Sequence, residues 1–242
     1  MLNTIVLGDC LKLLDKIQSK SVDAIITDPP FTMAGGLSNG FASRADDQFF
    51  RTWFTIVCEK LIRVIKPEGC MFFWCDWRTI GIMNDCLAEA SETYEPWRVS
   101  QMLAHDREMI GMGKPFRNQL DLICFVRGNA TNYENRIPNN TPNIFRKYWY
   151  YGKHDNHPSE KDVDVAKKLV EWATNEEQLV LDPFTGSGTV CIASKLTNRN
   201  FIGIEIDKGY HKTAVNRLEG ITPLQKLVSR PTLASFSNDD TK

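Results

Sequence analysis

No run of apolar residues in this chain approaches the roughly 18 needed to cross a bilayer, and Met1 to Lys16 lack a basic segment ahead of a long apolar stretch. The sequence therefore predicts neither a membrane span nor a secretory signal. An excess of charge is also missing. With 29 basic side chains against 30 acidic ones, a net of −1, any affinity for nucleic acid must come from a local basic patch. The seven cysteines (Cys10, Cys58, Cys70, Cys75, Cys86, Cys124 and Cys191) are odd in number, include no Cys-x-x-Cys, and mostly sit in apolar stretches. That pattern predicts buried, reduced thiols in a cytoplasmic protein, not a disulfide framework. Histidines are few: His154 and His157 stand three apart with no cysteine nearby, and His105 and His211 stand alone, so no metal site is expected. Internal repeats are absent, and 15 glycines and 11 prolines are too few for a low-complexity chain.

What is present is an ordinary globular composition, 42% hydrophobic and 24% charged, over 242 residues. One α/β domain with inserted loops is expected over residues 1–228, followed by a polar tail, 229–242. Short β-type runs recur at Thr4 to Leu7, Ala24 to Thr27, Cys70 to Cys75, Arg98 to Leu103, Leu120 to Val126, Gln178 to Leu181 and Asn200 to Ile204. Helical spacing predicts helices over Leu11 to Gln18, Asp47 to Ile65, Thr79 to Glu92, Glu160 to Ala173, Gly188 to Thr197 and Lys208 to Leu218. Strands alternating with helices predict a doubly wound, mostly parallel sheet. Lys66-Pro67-Glu68-Gly69 cannot continue a helix and is expected to turn the chain into the apolar run that follows.

Two segments break the alternation. Thr32 to Asp46 has glycines at 35, 36 and 40 and no periodicity, which predicts a long flexible loop directly after a strand end. Arg127 to Asn156 combines seven asparagines, the basic residues Arg127, Arg136, Arg146, Lys147 and Lys153, and the aromatics Tyr133, Phe145, Tyr148, Trp149, Tyr150 and Tyr151. Basic groups for phosphates, amides for base edges and rings for stacking make a nucleic-acid contact set. Composition alone equally suits a solvated loop with an aromatic anchor in the core. Trp53, Trp74 and Trp172 sit in apolar patterns and read as core.

Two motifs carry chemistry. The strand Val22 to Thr27 runs into Asp28-Pro29-Pro30-Phe31, which places a carboxylate, two rigid residues and a ring at a strand's carboxyl end, where open α/β sheets bind ligands. Prolines have no N–H to donate, so Asp28 and the Pro29 carbonyl form a cluster of acceptors beside a flat ring, suited to an exocyclic amino group. Asp-Pro-Pro also occurs in ordinary turns. The second motif, Leu179 to Thr189, is a strand, the turn Asp182-Pro183-Phe184-Thr185-Gly186-Ser187-Gly188, and a helix start. It lacks the third glycine of a generic dinucleotide fingerprint, Cys191 standing there, and it lacks the Gly-Lys-Ser/Thr of a phosphate loop. The next strand ends at Glu205, about 20 residues on, where an acidic side chain grips ribose hydroxyls.

Together these motifs resemble the amino-group DNA methyltransferases that use S-adenosylmethionine. Asp28-Pro29-Pro30-Phe31 resembles their catalytic motif, and Asp182 to Thr189 their cofactor loop. Gly8-Asp9-Cys10-Leu11 is similar to the segment that contacts the cofactor's adenine, and His157-Pro158-Ser159-Glu160-Lys161 to the one near its methionine portion. Gly203-Ile204-Glu205-Ile206-Asp207, with Tyr210, resembles the ribose-binding strand. Catalytic motif first and cofactor loop later is the permuted order of the family's β group, with target recognition between them, at residues 127–156. The resemblance spans about residues 3–218 and implies a Rossmann-like methyltransferase domain.

It also implies a set of roles: catalysis by Asp28, Pro29, Pro30 and Phe31; cofactor binding by Asp9, Cys10, Ser159, Lys161, Asp182, Phe184, Gly186, Ser187, Gly188, Thr189, Glu205 and Ile206; and DNA contact by Arg136, Arg146, Lys147 and Lys153. The implied partners are S-adenosylmethionine, double-stranded DNA and a second copy of the chain, in a bacterial cell or phage-infected host. The implied substrate is adenine N6, because cytosine-N4 enzymes more often carry Ser at the position of Asp28. Cytosine C5 chemistry is excluded: it needs a cysteine nucleophile, in that family after a proline, and no proline here precedes a cysteine. A binding-only relative without turnover stays open. Three departures stand out: Asp162 follows Lys161 where the family often has Pro, Phe31 replaces a commoner Tyr, and the recognition segment is short. The last assigns part of the DNA contact to Thr32 to Asp46, also a lid for the site, or to a second subunit.

Overall fold

The computed structural model describes residues 1–30, 44–92, 96–108, 110, 115–133, 136–146 and 161–220. The expectations for Phe31, Lys147, Lys153 and Ser159, for most of the 32–46 loop and for the polar tail lie outside these residues. In chain order the first elements are β1 (Thr4–Leu7), α1 (Cys10–Leu14), β2 (Val22–Thr27), α2 (Arg44–Val64), β3 (Ile65–Cys75), α3 (Thr79–Ala90) and β4 (Arg98–Asp106). Then follow β5 (Leu120–Arg127), β6 (Ile144–Arg146), α4 (Val163–Ala173), β7 (Leu179–Asp182), α5 (Thr189–Leu196), β8 (Asn200–Glu205) and α6 (Lys208–Glu219).

The strands form one sheet in the order β1-β8-β7-β2-β3-β5-β4-β6. β5 pairs antiparallel with both of its neighbours, and every other pairing is parallel, so β5 is the one reversed strand of the described sheet. The expected doubly wound, mostly parallel sheet is what the chain builds.

Alternation along the central strands shows why helices cover both faces. On β2 and β3, Ile25, Met71, Phe73 and Cys75 pack into one core with α1, α2 and α3. The intervening Ala24, Ile26, Cys70, Phe72 and Trp74 pack into a second core with α4 and α5. Side chains of opposite parity point to opposite faces, so a strand buried on both sides reads as a continuous apolar run. Burying each of the large side chains contributes about 1.5–3 kcal/mol. α6 and α5 close over Ile5 and Phe201 at the β1 end.

Two local expectations are corrected. Lys66-Pro67-Glu68-Gly69 is not a turn between helix and strand: α2 ends at Val64, β3 begins at Ile65, and the four residues are an irregularity within β3, between the pairs Val22↔Ile65 and Ala24↔Cys70. Lys66 there bonds Asp23 at 2.6 Å, and the other Asp23 oxygen accepts the Leu179 N–H, so the bulge is stitched to β2 and β7. Residues 127–156, expected to break the alternation, also contribute to the sheet. Arg127 completes β5, and Ile144–Arg146 adds the edge strand β6, a three-residue element below what periodicity can detect. All seven cysteines are buried and unbridged, and no described helix is long and apolar enough to cross a membrane.

Candidate active site

Four adjacent strands, β1, β8, β7 and β2, run parallel and deliver an acidic residue each to the same sheet edge: Asp9, Glu205, Asp182 and Asp28. Neighbouring strands lie about 4.8 Å apart, so the four form a row along one edge, and each carboxylate has a different setting.

Asp9 caps α1, its Oδ1 accepting the Leu11 N–H at 2.9 Å. Beside it the Cys10 thiol is pushed up to about 12 by burial and by the Asp9 charge, so it packs as a neutral group. Glu205 is buried and accepts two backbone bonds, from Gly186 N at 2.7 Å and Asp207 N at 2.8 Å. A carboxylate has about four acceptor sites, so capacity remains for hydroxyls of a ligand. The next residue, Ile206, is 71% exposed and offers an apolar surface on the same edge.

Asp182 is also buried, and its Oδ1 accepts the Thr27 hydroxyl at 2.6 Å and the Phe184 N–H at 3.2 Å. Burial raises its pKa to about 7; the two hydrogen bonds oppose that shift, and the charges of Asp28 and Glu205 add to it. The turn after it depends on glycine for two reasons. Gly188 has φ +92°, and a Cβ there would lie 3.0 Å from Ala214 Cβ on α6. Gly203 on β8 lies so close beneath the turn that a Cβ would sit 2.7 Å from both Thr185 Oγ1 and Cys191 Sγ. Ser187 is fixed through its carbonyl, which accepts from Arg217 at 2.6 Å, and the Phe184 ring packs on Trp53 with centroids 5.7 Å apart.

Asp28 differs from the other three. Lys161 Nζ lies 3.0 Å from its Oδ2, while its Oδ1 is buried with no hydrogen-bond partner among the described residues. Burial raises the Asp28 pKa, and Lys161 opposes the rise. The chain thus holds one oxygen and leaves the other as an open acceptor, an arrangement that costs about 1–3 kcal/mol unless a ligand donates to it.

One cleft is lined by Asp28, Lys161, Asp182, Phe184, Gly186, Ser187 and Thr189, all expected site residues. Asp9, Cys10, Glu205 and Ile206 lie along the same edge. The cleft also takes in Trp74, which the sequence assigns to the core: it is buried and yet lines the cleft, because the pair Thr27↔Phe73 puts the next residues, Asp28 and Trp74, side by side. Thr27, which holds Asp182, carries no sequence signal beyond its place before Asp28. The expected DNA-contact residues separate. Arg146 ends β6 beside Asp106, on the edge that carries Asp28. Arg136 is at the opposite edge, where its guanidinium donates to the Trp172 carbonyl at 3.0 Å and to the Asn132 carbonyl.

Comparison with known proteins decides the family. The family model described as DNA methylase, for N6 and N4 amino-group enzymes, matches residues 22–216. The chain belongs to the DNA methylase family. This methylase is 26% identical over 243 residues to the DNA adenine methyltransferase YhdJ of Escherichia coli K12, covering 89% of this chain and 82% of that one. It is 27% identical over 235 residues to the type II methyltransferase M.HpaI of Haemophilus parainfluenzae, covering 89% and 74%. Among solved structures, the M1.HpyAVI–SAM complex matches with a TM-score of 0.66 and 26% identity, over 89% of the methylase and 99% of that chain. The cytosine-N4-specific PvuII DNA methyltransferase shares the fold, with a TM-score of 0.70 at 15% identity over 93% and 87%.

The methylase's cofactor is S-adenosylmethionine, and the cleft fits it. A glycine turn lets a ligand approach the backbone, Glu205 retains acceptor capacity for hydroxyls, and carboxylates suit a cationic amine and sulfonium.

Proposed function

We propose that this DNA methyltransferase methylates N6 of adenine swung out of duplex DNA, with S-adenosylhomocysteine as the second product. The observation that carries the reading is the open, buried Oδ1 of Asp28 beside two prolines that cannot donate. Bound S-adenosylmethionine supplies an electrophilic methyl group. Glu205 takes its ribose hydroxyls, Asp182 and the turn at Gly186 to Gly188 its amino acid portion, and Asp9 and Ile206 its adenine.

Asp28 Oδ1 accepts one N–H of the target amine, and the Pro29 carbonyl accepts the other. With both hydrogens drawn off the ring plane, the nitrogen lone pair is freed for attack. The N–C bond forms as the C–S bond breaks, and the methylated nitrogen then sheds a proton. Asp28, with its pKa raised by burial, is placed to take that proton and pass it to water. Holding the amine in line with the methyl group, away from water, supplies most of the acceleration.

Phe31 stacks on the base, residues 32–46 close over it, and residues 127–156 recognise the target within a single domain, 1–228. Arg146, Lys147 and Lys153 contact phosphates; Arg136 is left out of this set because the other edge uses it structurally. The methylase works in the cytoplasm of a bacterial cell or phage-infected host, as its buried, reduced thiols suit. A second copy completes the short recognition surface, which sedimentation with and without duplex DNA tests.

The product identifies the substrate. Purified protein is incubated with S-adenosylmethionine and unmodified DNA, which is then digested to nucleosides for mass spectrometry. The expected product is 6-methyladenine, absent with Asp28→Ala; 4-methylcytosine would keep the chemistry and overturn the base.

A further inference from the structure

Beyond Asp28 the same edge carries apolar groups that neither core claims. Trp77, two residues past β3, is 68% exposed; Leu120, which opens β5, is 46% exposed; and Phe116, in the β4–β5 connection, is 87% exposed. The sheet topology places them on the edge that carries Asp28. Asp28 stands abreast of Trp74 through Thr27↔Phe73, and Trp77 is three residues further on. Cys75↔Leu122 is the last β3–β5 pair, and β3 ends there while β5 begins at Leu120, so Trp77 and Leu120 both lie beyond that pair on the edge that carries Asp28. The β4–β5 connection is fastened at its base: Arg107 N donates to the Gln119 carbonyl at 3.1 Å, and Gln119 Nε2 donates to Asp106 Oδ1 at 2.7 Å. Phe116 projects from just beyond that clamp.

The Trp77 ring is braced as well as exposed. The Arg78 guanidinium lies over it, 5.5 Å from the centroid, and is tied by its Nε to Asp76 Oδ2 at 3.2 Å. A rigid, solvent-facing ring loses little entropy when it stacks on a flat partner. Exposed apolar groups on neighbouring loops mark a binding surface, and this one adjoins Arg78, Arg107 and Arg146.

We propose that Trp77 and Phe116 are a base-stacking wedge for duplex DNA: they fill the gap left in the base stack when the target base enters the cleft at Asp28. The inference rests on the DNA reading above and adds residues to it. A flipped base leaves its partner and neighbours unstacked at a cost of a few kcal/mol. Apolar side chains inserted into a base step are a known way of offsetting such a cost, and ring-on-base stacking contributes about 1–3 kcal/mol per base.

The test uses the full chain. The methylated site of the wild type is mapped on mixed-sequence DNA, and two duplexes are made around it: one fully paired, and one with an abasic position opposite the target base. Trp77→Ala and Phe116→Ala are expected to lower methylation of the paired duplex roughly tenfold each and to recover to within about twofold of wild type on the abasic duplex, where no pair has to be opened. Both side chains are exposed, so folding is expected to be unaffected, and unchanged S-adenosylmethionine binding checks it. Equal losses on the two duplexes, or no loss on either, would overturn the wedge alone. A wild type that methylates no DNA would overturn the functional reading, and the wedge with it.

Discussion

From β1 to β7 each acidic side chain at a strand end is tied to backbone or hydroxyl donors, whereas from β2 to β6 the same edge carries an acceptor without a donor among the described residues, exposed rings and arginines. Glu205 and Asp182 each accept two hydrogen bonds from the chain itself. Asp28 has one oxygen held by Lys161 and one held by nothing described. Under the proposed function, the contrast follows from what each half receives. A small cofactor of fixed shape is met by a prebuilt cradle with few unsatisfied groups. A base drawn out of a polymer must supply the missing hydrogen bonds itself, so the half that meets it keeps them open and is stabilised only when it is filled.

The largest effect expected on cofactor binding comes from the cradle. Glu205→Ala strips the acceptor from Gly186 N and Asp207 N and any ribose contact with it, and the loss is expected to be about 1.5–3 kcal/mol of cofactor binding, roughly 10- to 150-fold, read by calorimetric titration with S-adenosylmethionine. Binding within twofold of wild type would show that the cradle does not depend on that carboxylate. Gly203→Ala should cost about 1–3 kcal/mol of stability through overpacking, since its Cβ would meet Thr185 Oγ1 and Cys191 Sγ at 2.7 Å. Thermal melts report the loss, and an unchanged Tm would contradict the tight seat of the turn.

Asp182 sharpens the comparison through pH. Its folded pKa, about 7, lies above the ordinary 3.8, so the folded state binds the proton more tightly and stability falls as pH rises from about 4 to about 7. Asp182→Asn removes that penalty. Its Tm advantage over wild type should grow across this window and level off above it; an advantage that shrinks with pH would contradict the assignment. The smallest effect belongs to Lys161, whose charge lowers the pKa of Asp28 against burial. Lys161→Met is expected to move the acid limb of the kcat/KM profile to higher pH, because the ionised carboxylate is the acceptor. A drop in rate with no movement of the limb would show that Lys161 acts only on the cofactor.

The two halves were also unequally legible in the sequence. The cradle is local: Asp182 to Thr189 is a strand end, a turn and a helix start within eight residues, and Glu205 closes the next strand, so spacing alone brings them together. β2 and β3 announce themselves as apolar runs because both of their faces are buried. The substrate half is assembled from distant pieces. Trp74 reads as core from its run and is core, but only the Thr27↔Phe73 register shows that it also borders Asp28. Arg136 and Arg146 look alike in a basic, aromatic stretch, yet the chain folds back between them and places them at opposite edges. β6 is too short for a period to show, and the bulge at Lys66 to Gly69 looks like a turn because Pro and Gly mark both.

The central claim is that cofactor holding and amine activation are separate tasks along one edge. It is tested most directly by Asp28→Ala, measured for S-adenosylmethionine affinity and for methylated nucleoside in the same preparation. Affinity is expected within about threefold of wild type and turnover lowered by about 100-fold or more, the scale on which removing one preorganised polar group acts. Equal losses of affinity and turnover, or turnover that survives the change, would contradict it.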